Sequence, residues 1–250
     1  FMVAGLLGIY VSAVLPIYAA IPVVIILTVA LGFFIERAAY KPLRNAPRMS
    51  VMISAIGVSY LLENTATYVT GGQPMTYPTI GILNKTIDIV GTSTKLVVII
   101  TPVLVLVLIV LLTQLINHTK IGMAMRAASR DFETAQLMGI KINSVISFTF
   151  IIGSALAAVA SFLYFSNYTT IAPSSGAMPG LKAFVAAVFG GIGSIPGAVI
   201  GAFIIGICES FIKANENIAV FSNAFTFALL IIILLCKPNG LFGEKLTEKV

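Results

Sequence analysis

From Leu96 to Ile116 the sequence runs LVVIITPVLVLVLIVLLTQLI, twenty-one residues without a charge. A helix that packs into a soluble core keeps a polar stripe for water. This segment has none, and about 20 apolar residues is the length that crosses a bilayer. Six further apolar stretches lie at roughly 1–15, 19–35, 50–69, 144–166, 182–208 and 219–236. Charged residues make up only 10% of the chain and its mean hydropathy is +1.05, whereas soluble domains carry about 25% charged residues. So much apolar surface has no soluble core to enter. The expected fold is an all-α integral membrane protein. It is a polytopic helical bundle of six or so spans plus one broken, re-entrant segment, all within a single transmembrane domain, 1–250. The first stretch is short and opens at Phe1 without a signal-peptide pattern, so it reads as the tail of a helix that starts earlier.

The net charge of +6 orients such a bundle, because Lys and Arg collect in loops that stay cytoplasmic. The segment ERAAYKPLRNAPR (36–48) carries four Lys/Arg, and 117–143 carries Lys120, Arg126, Arg130 and Lys141. The tail from Lys237 carries three Lys, whereas 167–181 carries no Lys or Arg. The basic segments are expected inside, with the C-terminus cytoplasmic. The segments 70–95 and 167–181 are expected outside, 70–95 as a small external cap with a short hairpin.

This orientation leaves two apolar stretches, 182–208 and 219–236, between an outer loop and an inner tail. One of them must fail to cross. GGIGSIPG (190–197) puts four glycines and a proline into eight residues, which no straight helix holds. The expected arrangement is an inward arm at 183–189, a break at 190–197 and a return through 198–208. Irregular backbone at membrane depth survives only where protein or a water-filled cavity surrounds it. Gly190, Gly191, Gly193, Ser194, Pro196 and Gly197 are therefore candidates for a translocation pathway or gate, as broken helices are in transporters.

The middle of the chain holds a charged island with Arg126, Arg130, Asp131, Glu133 and Lys141. Asp131 can cap a short helix, Phe132 to Met138, that Gly139 ends. Ala128, Phe132, Ala135 and Gly139 then share one face. Small residues around one ring suit docking to a soluble partner. Lying at the lipid surface, with Arg126 and Arg130 on anionic headgroups, suits the island equally well.

The sequence offers no catalytic residues and no metal-ligand spacing. The lone His118 stands at a membrane edge, with no base near Ser194 to activate it. Cys208 and Cys236 lie in apolar runs and read as small buried hydrophobes. No G-x4-GK[ST] occurs, so the chain has no phosphate cradle of its own. Glu63 and Glu209, with Asn64, lie near outer ends of apolar stretches. They are candidates for an outer vestibule, near a substrate ammonium group, or simply snorkel to water. No acid is expected to pair with Lys or Arg deep in a span.

The run G122-x3-R126-A127-x7-A135-x3-G139-I140 resembles the cytoplasmic loop of branched-chain amino acid ABC transporter permeases, in the wider family that includes ribose-type sugar permeases. The resemblance extends to ERAAYKPLRNAPR (36–48), ISAIGVSYLLEN (53–64), KAFVAAVFGGIGSIPGAVIGAFIIGICES (182–210) and KPNGLFGE (237–244). The first of these is closest to the shorter, LivH-like of the two paired permease subunits. Chains of this family usually have about one more helix before the position of Phe1.

The resemblance implies a subunit of a binding-protein-dependent importer in a bacterial inner membrane. It would have a sister permease, two cytoplasmic ATPases that bind the ATP, and an external binding protein as partners. Gly122, Arg126, Ala127, Ala135, Gly139 and Ile140 would form the ATPase-coupling contact, beside Phe132. The implied cargo is Leu, Ile or Val, or related amino acids and amides. An autonomous channel or secondary carrier for a small polar solute remains the alternative.

Overall fold

The computed structural model describes residues 1–44, 46–78, 85–89, 92–191, 193–237 and 240–242. The chain divides into two compact units, Phe1–Ser175 and Gly176 onward.

The first unit is built from helices separated by prolines and glycines. α1 (Met2–Ser12) precedes Pro16, and α2 (Ile17–Ile35) starts directly after it. α2 does not stop at the charged residues that follow. It passes into a π-helical turn, Glu36–Tyr40, and a 3-10 turn, Lys41–Leu43. The stretch expected as loop 36–48 is thus mostly helical. α3 (Arg48–Thr70) begins after Pro47, and Gly71, with φ 63°, ends it in the left-handed conformation that costs glycine least. α4 (Leu96–His118) is followed by α5 (Lys120–Arg130), α6 (Phe132–Leu137) and the long α7 (Ile142–Asn167).

α2 lies along α7. A Cβ on Gly32 would fall 1.8 Å from Oγ of Ser154, so the glycine is what allows the close approach. The rings of Tyr40 and Phe150 meet at 5.0 Å.

At the other end of this unit, β1 (Met75–Thr76) pairs antiparallel with β4 (Thr170–Ile171). The N–H of Tyr77 extends the ladder to the carbonyl of Thr169 at 2.7 Å. The segments after α3 and after α7 therefore lie at the same end, in line with the charge pattern. β2 (Thr86–Ile89) and β3 (Thr92–Lys95) form the short hairpin expected in 70–95; residues 79–84, 90 and 91 of that segment lie outside the described residues. Beneath the pair sits a core of Met2, Leu6, Ala66, Tyr77, Phe165 and Ile171. Burial there pushes the Tyr77 phenol up to about 12.

The second unit is a helical hairpin and a third helix: α8 (Ala177–Gly190), α9 (Ile195–Lys213), and α10 (Ser222–Cys236) preceded by a 3-10 turn, Ala219–Phe221. The break is shorter than the sequence suggested and both arms are longer. Gly190 ends the first arm. Pro196 and Gly197 lie in the first turn of the second, where a missing N–H costs nothing. The chain reverses at Gly191 (φ 108°) and Gly193 (φ 98°); Ile192 between them lies outside the described residues. Val185, Ala186, Phe189 and Ile205 form the core of this unit.

Among the described residues, five helices are long and apolar enough to span: Ile17–Leu43, Leu96–His118, Ile142–Asn167, Ile195–Lys213 and Ala219–Cys236. α3 has the length, but Glu63, Asn64 and its hydroxyls lower its apolarity. α1 and α8 are shorter apolar helices. The molecule is a helical membrane protein, and large apolar side chains such as Ile26, Phe34 and Leu61 point out of it.

Candidate functional site

The charged island is a helix–corner–helix, held onto the end of α4 by polar contacts. Thr119 caps α5, its Oγ1 accepting the N–H of Gly122 at 3.1 Å. A Cβ on Gly122 would lie 2.2 Å from the carbonyl oxygen of Ile116, so only glycine lets α5 fold back so tightly on α4. Arg126 reaches back as well. Its Nη1 donates to Oδ1 of Asn117 at 3.0 Å and its Nη2 to the Asn117 carbonyl at 3.3 Å, one of the orphan carbonyls at the end of α4.

Asp131 is the corner. Its Oδ1 accepts the N–H groups of Glu133 and Thr134, each at 3.1 Å, and its Oδ2 accepts the Thr134 hydroxyl at 2.6 Å. This is the cap expected from sequence, and Gly139 ends the helix at φ 84°. The N–H of Ile140 then closes on the Ala135 carbonyl at 3.1 Å.

The face expected to dock is not the exposed one. Ala128 and Ala135 do not point outward; they pack together with Val145 against Met125, Ile140 and Ile142. Gly122 is buried too. The small residues serve to seat α5 and α6 on the root of α7. The outward surface is Phe132, Leu137 (87% exposed) and Met138 (79% exposed), beside exposed Arg126, Ala127 and Gly139.

The hairpin tip brings its predicted residues together. A Cβ on Gly190 would fall 2.1 Å from the carbonyl oxygen of Gly197, and one on Gly201 would fall 2.6 Å from that of Ala186. The arms touch backbone to backbone. Oγ of Ser194 caps α9 by accepting the N–H of Gly197 at 3.2 Å, so this serine has a structural task. Residues 240–242 close the tip from outside the hairpin. The N–H groups of Leu241 and Phe242 donate to the carbonyls of Phe189 and Gly190, both at 3.0 Å, and Gly240 (φ 78°) lies against Gly191. Pro238, Asn239, Gly243 and Glu244 of the tail lie outside the described residues.

The vestibule candidates lie on α3 and α9. Glu63 is half-buried on α3, and exposed Asn64 donates to the Tyr60 carbonyl of its own helix at 2.8 Å. Glu209 is held by Lys182 at 2.6 Å and Lys213 at 2.5 Å. One carboxylate between two ammonium groups leaves a net positive cluster, which disfavours a substrate ammonium group there.

Two acids are paired near helix ends rather than deep in a span, Glu209 and Glu36. The latter is buried and bonded to Arg44 near the end of its helix. A small cavity between α1, α2 and α7, lined by Gly8, Ala20, Val24, Tyr77 and Ala158 among others, carries no charged group and does not suit a zwitterion. Among the described residues no cluster fits a metal ion. Cys208 and Cys236 are free thiols, and Cys236 is exposed rather than buried.

The family model for the permease component of branched-chain amino acid transport systems matches residues 1–234. The chain belongs to that family.

Among the relatives of this permease is the high-affinity branched-chain amino acid transport permease LivH of Salmonella typhimurium. It is 41% identical over 232 residues, covering 90% of this chain and 74% of the relative. BraD of Pseudomonas aeruginosa, of the same description, is 39% identical over 245 residues, 96% and 78% of the two chains. A ribose import permease, RbsC of Haemophilus influenzae, is 25% identical over 245 residues, 94% and 73% of the two chains. No solved structure matches significantly. The permease is thus a multi-pass transport subunit of an ABC importer, a class that works with ATPase and binding-protein partners.

Sequence reasoning missed α5 and the exposed pair Leu137 and Met138. Both were detectable. Ala124, Met125 and Ala128 repeat at helical spacing. With Ala135 inward, residue 137 sits about 200° away around the helix and must point out.

Proposed function

We propose that this permease carries a branched-chain amino acid, Leu, Ile or Val, or a related small amino acid or amide, across a bacterial inner membrane. It pairs with a sister permease, and the route runs between the two. Two cytoplasmic ATPases bind and hydrolyse the ATP, and the chain itself is not an enzyme, in keeping with its lack of a phosphate-binding loop. An external binding protein delivers cargo at the end that carries β1 and β4. The names of the relatives support the cargo.

In this reading α5 and α6 lie on the cytoplasmic side and couple the ATPase to the spans, through Arg126, Ala127, Phe132, Leu137, Met138 and Gly139 at the surface. Gly122, Ala135 and Ile140 fix the mount beneath. The tip at Gly190, Gly191, Gly193, Ser194, Pro196 and Gly197 gates or lines the route, as a re-entrant hairpin. Glu63, Asn64 and the lysine-bridged Glu209 belong to the outer vestibule, with the C-terminus on the cytoplasmic side.

The observation that carries the proposal is the mount of α5 and α6: Arg126 ties α5 to Asn117, Ala128 and Ala135 pack on Val145, and Phe132, Leu137 and Met138 stay uncovered. A lipid-surface helix would need no such rigid mount. The test is co-purification of the permease with ATPase subunits of such an importer. Phe132→Asp with Leu137→Asp should abolish association while membrane insertion stays normal, because neither side chain is buried. Undiminished association of the double variant would remove the coupling role.

A further inference from the structure

Glu36 is 1% exposed, and nothing in the coupling surface or the hairpin uses it. It opens the π-helical turn Glu36–Tyr40, a wider turn that holds an extra residue and is often found at functional sites. The turn brings the following residues back so that Arg44 meets Glu36 Oε1 through Nη2. The second carboxylate oxygen, Oε2, accepts the hydroxyl of Ser147 on α7 at 2.9 Å. Arg44 Nη1 continues to Oδ1 of Asn143, the second residue of α7. Its Nε is buried and has no partner among the described residues.

One buried carboxylate and one arginine thus join the end of α2 to the first turns of α7. Those turns follow directly on Gly139 and Ile140, and Ile142 and Val145 pack on α5 and α6. Burying such a pair gains little stability over an apolar pair of the same shape. What a two-pronged charged contact supplies is a fixed register, since a guanidinium fork holds its partners at set positions and angles.

We propose that Glu36 and Arg44 are positioning residues that transmit displacement of α5 and α6 into α2. Arg44 grips the root of α7 through Asn143, and Glu36 holds Arg44 in place. When the root of α7 moves, the end of α2 follows without slipping, and α2 carries the motion along its packed length, past Gly32 and Ser154. This rests on the reading of α5 and α6 as the ATPase contact.

The test uses the assembled importer in proteoliposomes, with external binding protein and radiolabelled L-leucine, and reads leucine taken up per ATP hydrolysed. Glu36→Gln and Arg44→Gln should co-purify with the ATPases and hydrolyse ATP, yet lose about tenfold in uptake per ATP, a typical size for coupling between sites. Asn143→Ala is the safeguard against misfolding. Asn143 is exposed and its removal leaves the buried pair intact, so the variant should fold and still lose several-fold in the same ratio.

An unchanged ratio in Asn143→Ala and in whichever Gln variants assemble overturns the linkage. So does a loss of uptake strictly in step with ATP hydrolysis. Failure of the wild-type chain to hold an ATPase is a different result: it removes the coupling reading itself, and the linkage with it.

Discussion

At the scale of single residues, glycine does two jobs in this permease that a sequence cannot separate. Gly190 and Gly206 look alike in the string, both within runs of small apolar residues. A Cβ at Gly190 would collide with the backbone of Gly197, while one at Gly206 meets nothing within 4 Å. Gly190→Ala should therefore force the hairpin arms apart and cost about 1–3 kcal/mol. Gly206→Ala should be neutral or stabilising by up to about 1 kcal/mol, because alanine favours a helix over the unfolded chain. Thermal unfolding of the purified variants distinguishes the two, and equal behaviour would contradict the close contact of α8 and α9. The buried acid Glu36 shows the same limit. ERAAYKPLR reads as a basic loop, and only folding shows that Arg44 turns back onto Glu36 rather than facing water.

At the scale of elements, the sequence shows local signals and hides contacts. The corner at Asp131 and the end at Gly139 were legible because capping is chemistry between near neighbours. Asp131→Ala removes the acceptor for two backbone N–H groups and should cost about 1 kcal/mol. Hydrogen exchange at Glu133 and Thr134 should speed up while that of α7 does not change. Protection that stays the same would mean packing of Ala135 holds α6 without its cap. The orientation of the Ala128 and Ala135 face is not legible in the sequence, for a different reason. Periodicity groups residues on one side of a helix but does not say whether that side meets a partner or the chain's own next helix. Here Val145 of α7 covers it. The break expected at 190–197 is shorter in the structure, and both arms are longer. In sequence Pro196 reads as part of the break, but a proline in the first turn starts a helix as readily as it ends one.

At the scale of the molecule, apolar length is enough for the class of protein, while the basic loops predict the sidedness of its segments. Pairing of Met75 with Ile171 joins two segments more than ninety residues apart, and no local pattern encodes such a contact. The sidedness can be checked in intact cells. In a background with Cys208 and Cys236 replaced, Thr76→Cys should react with a membrane-impermeant thiol reagent and Met138→Cys should not, both side chains being exposed. Labelling of both from outside would overturn the assigned orientation.

The docking of residues 240–242 on Phe189 and Gly190 also sets an order of events during synthesis. The hairpin leaves the ribosome well before its closing segment does. Its exposed helix-end carbonyls must wait for partners until α10 and the residues after it have been made. The tip is thus among the last parts of the chain to mature.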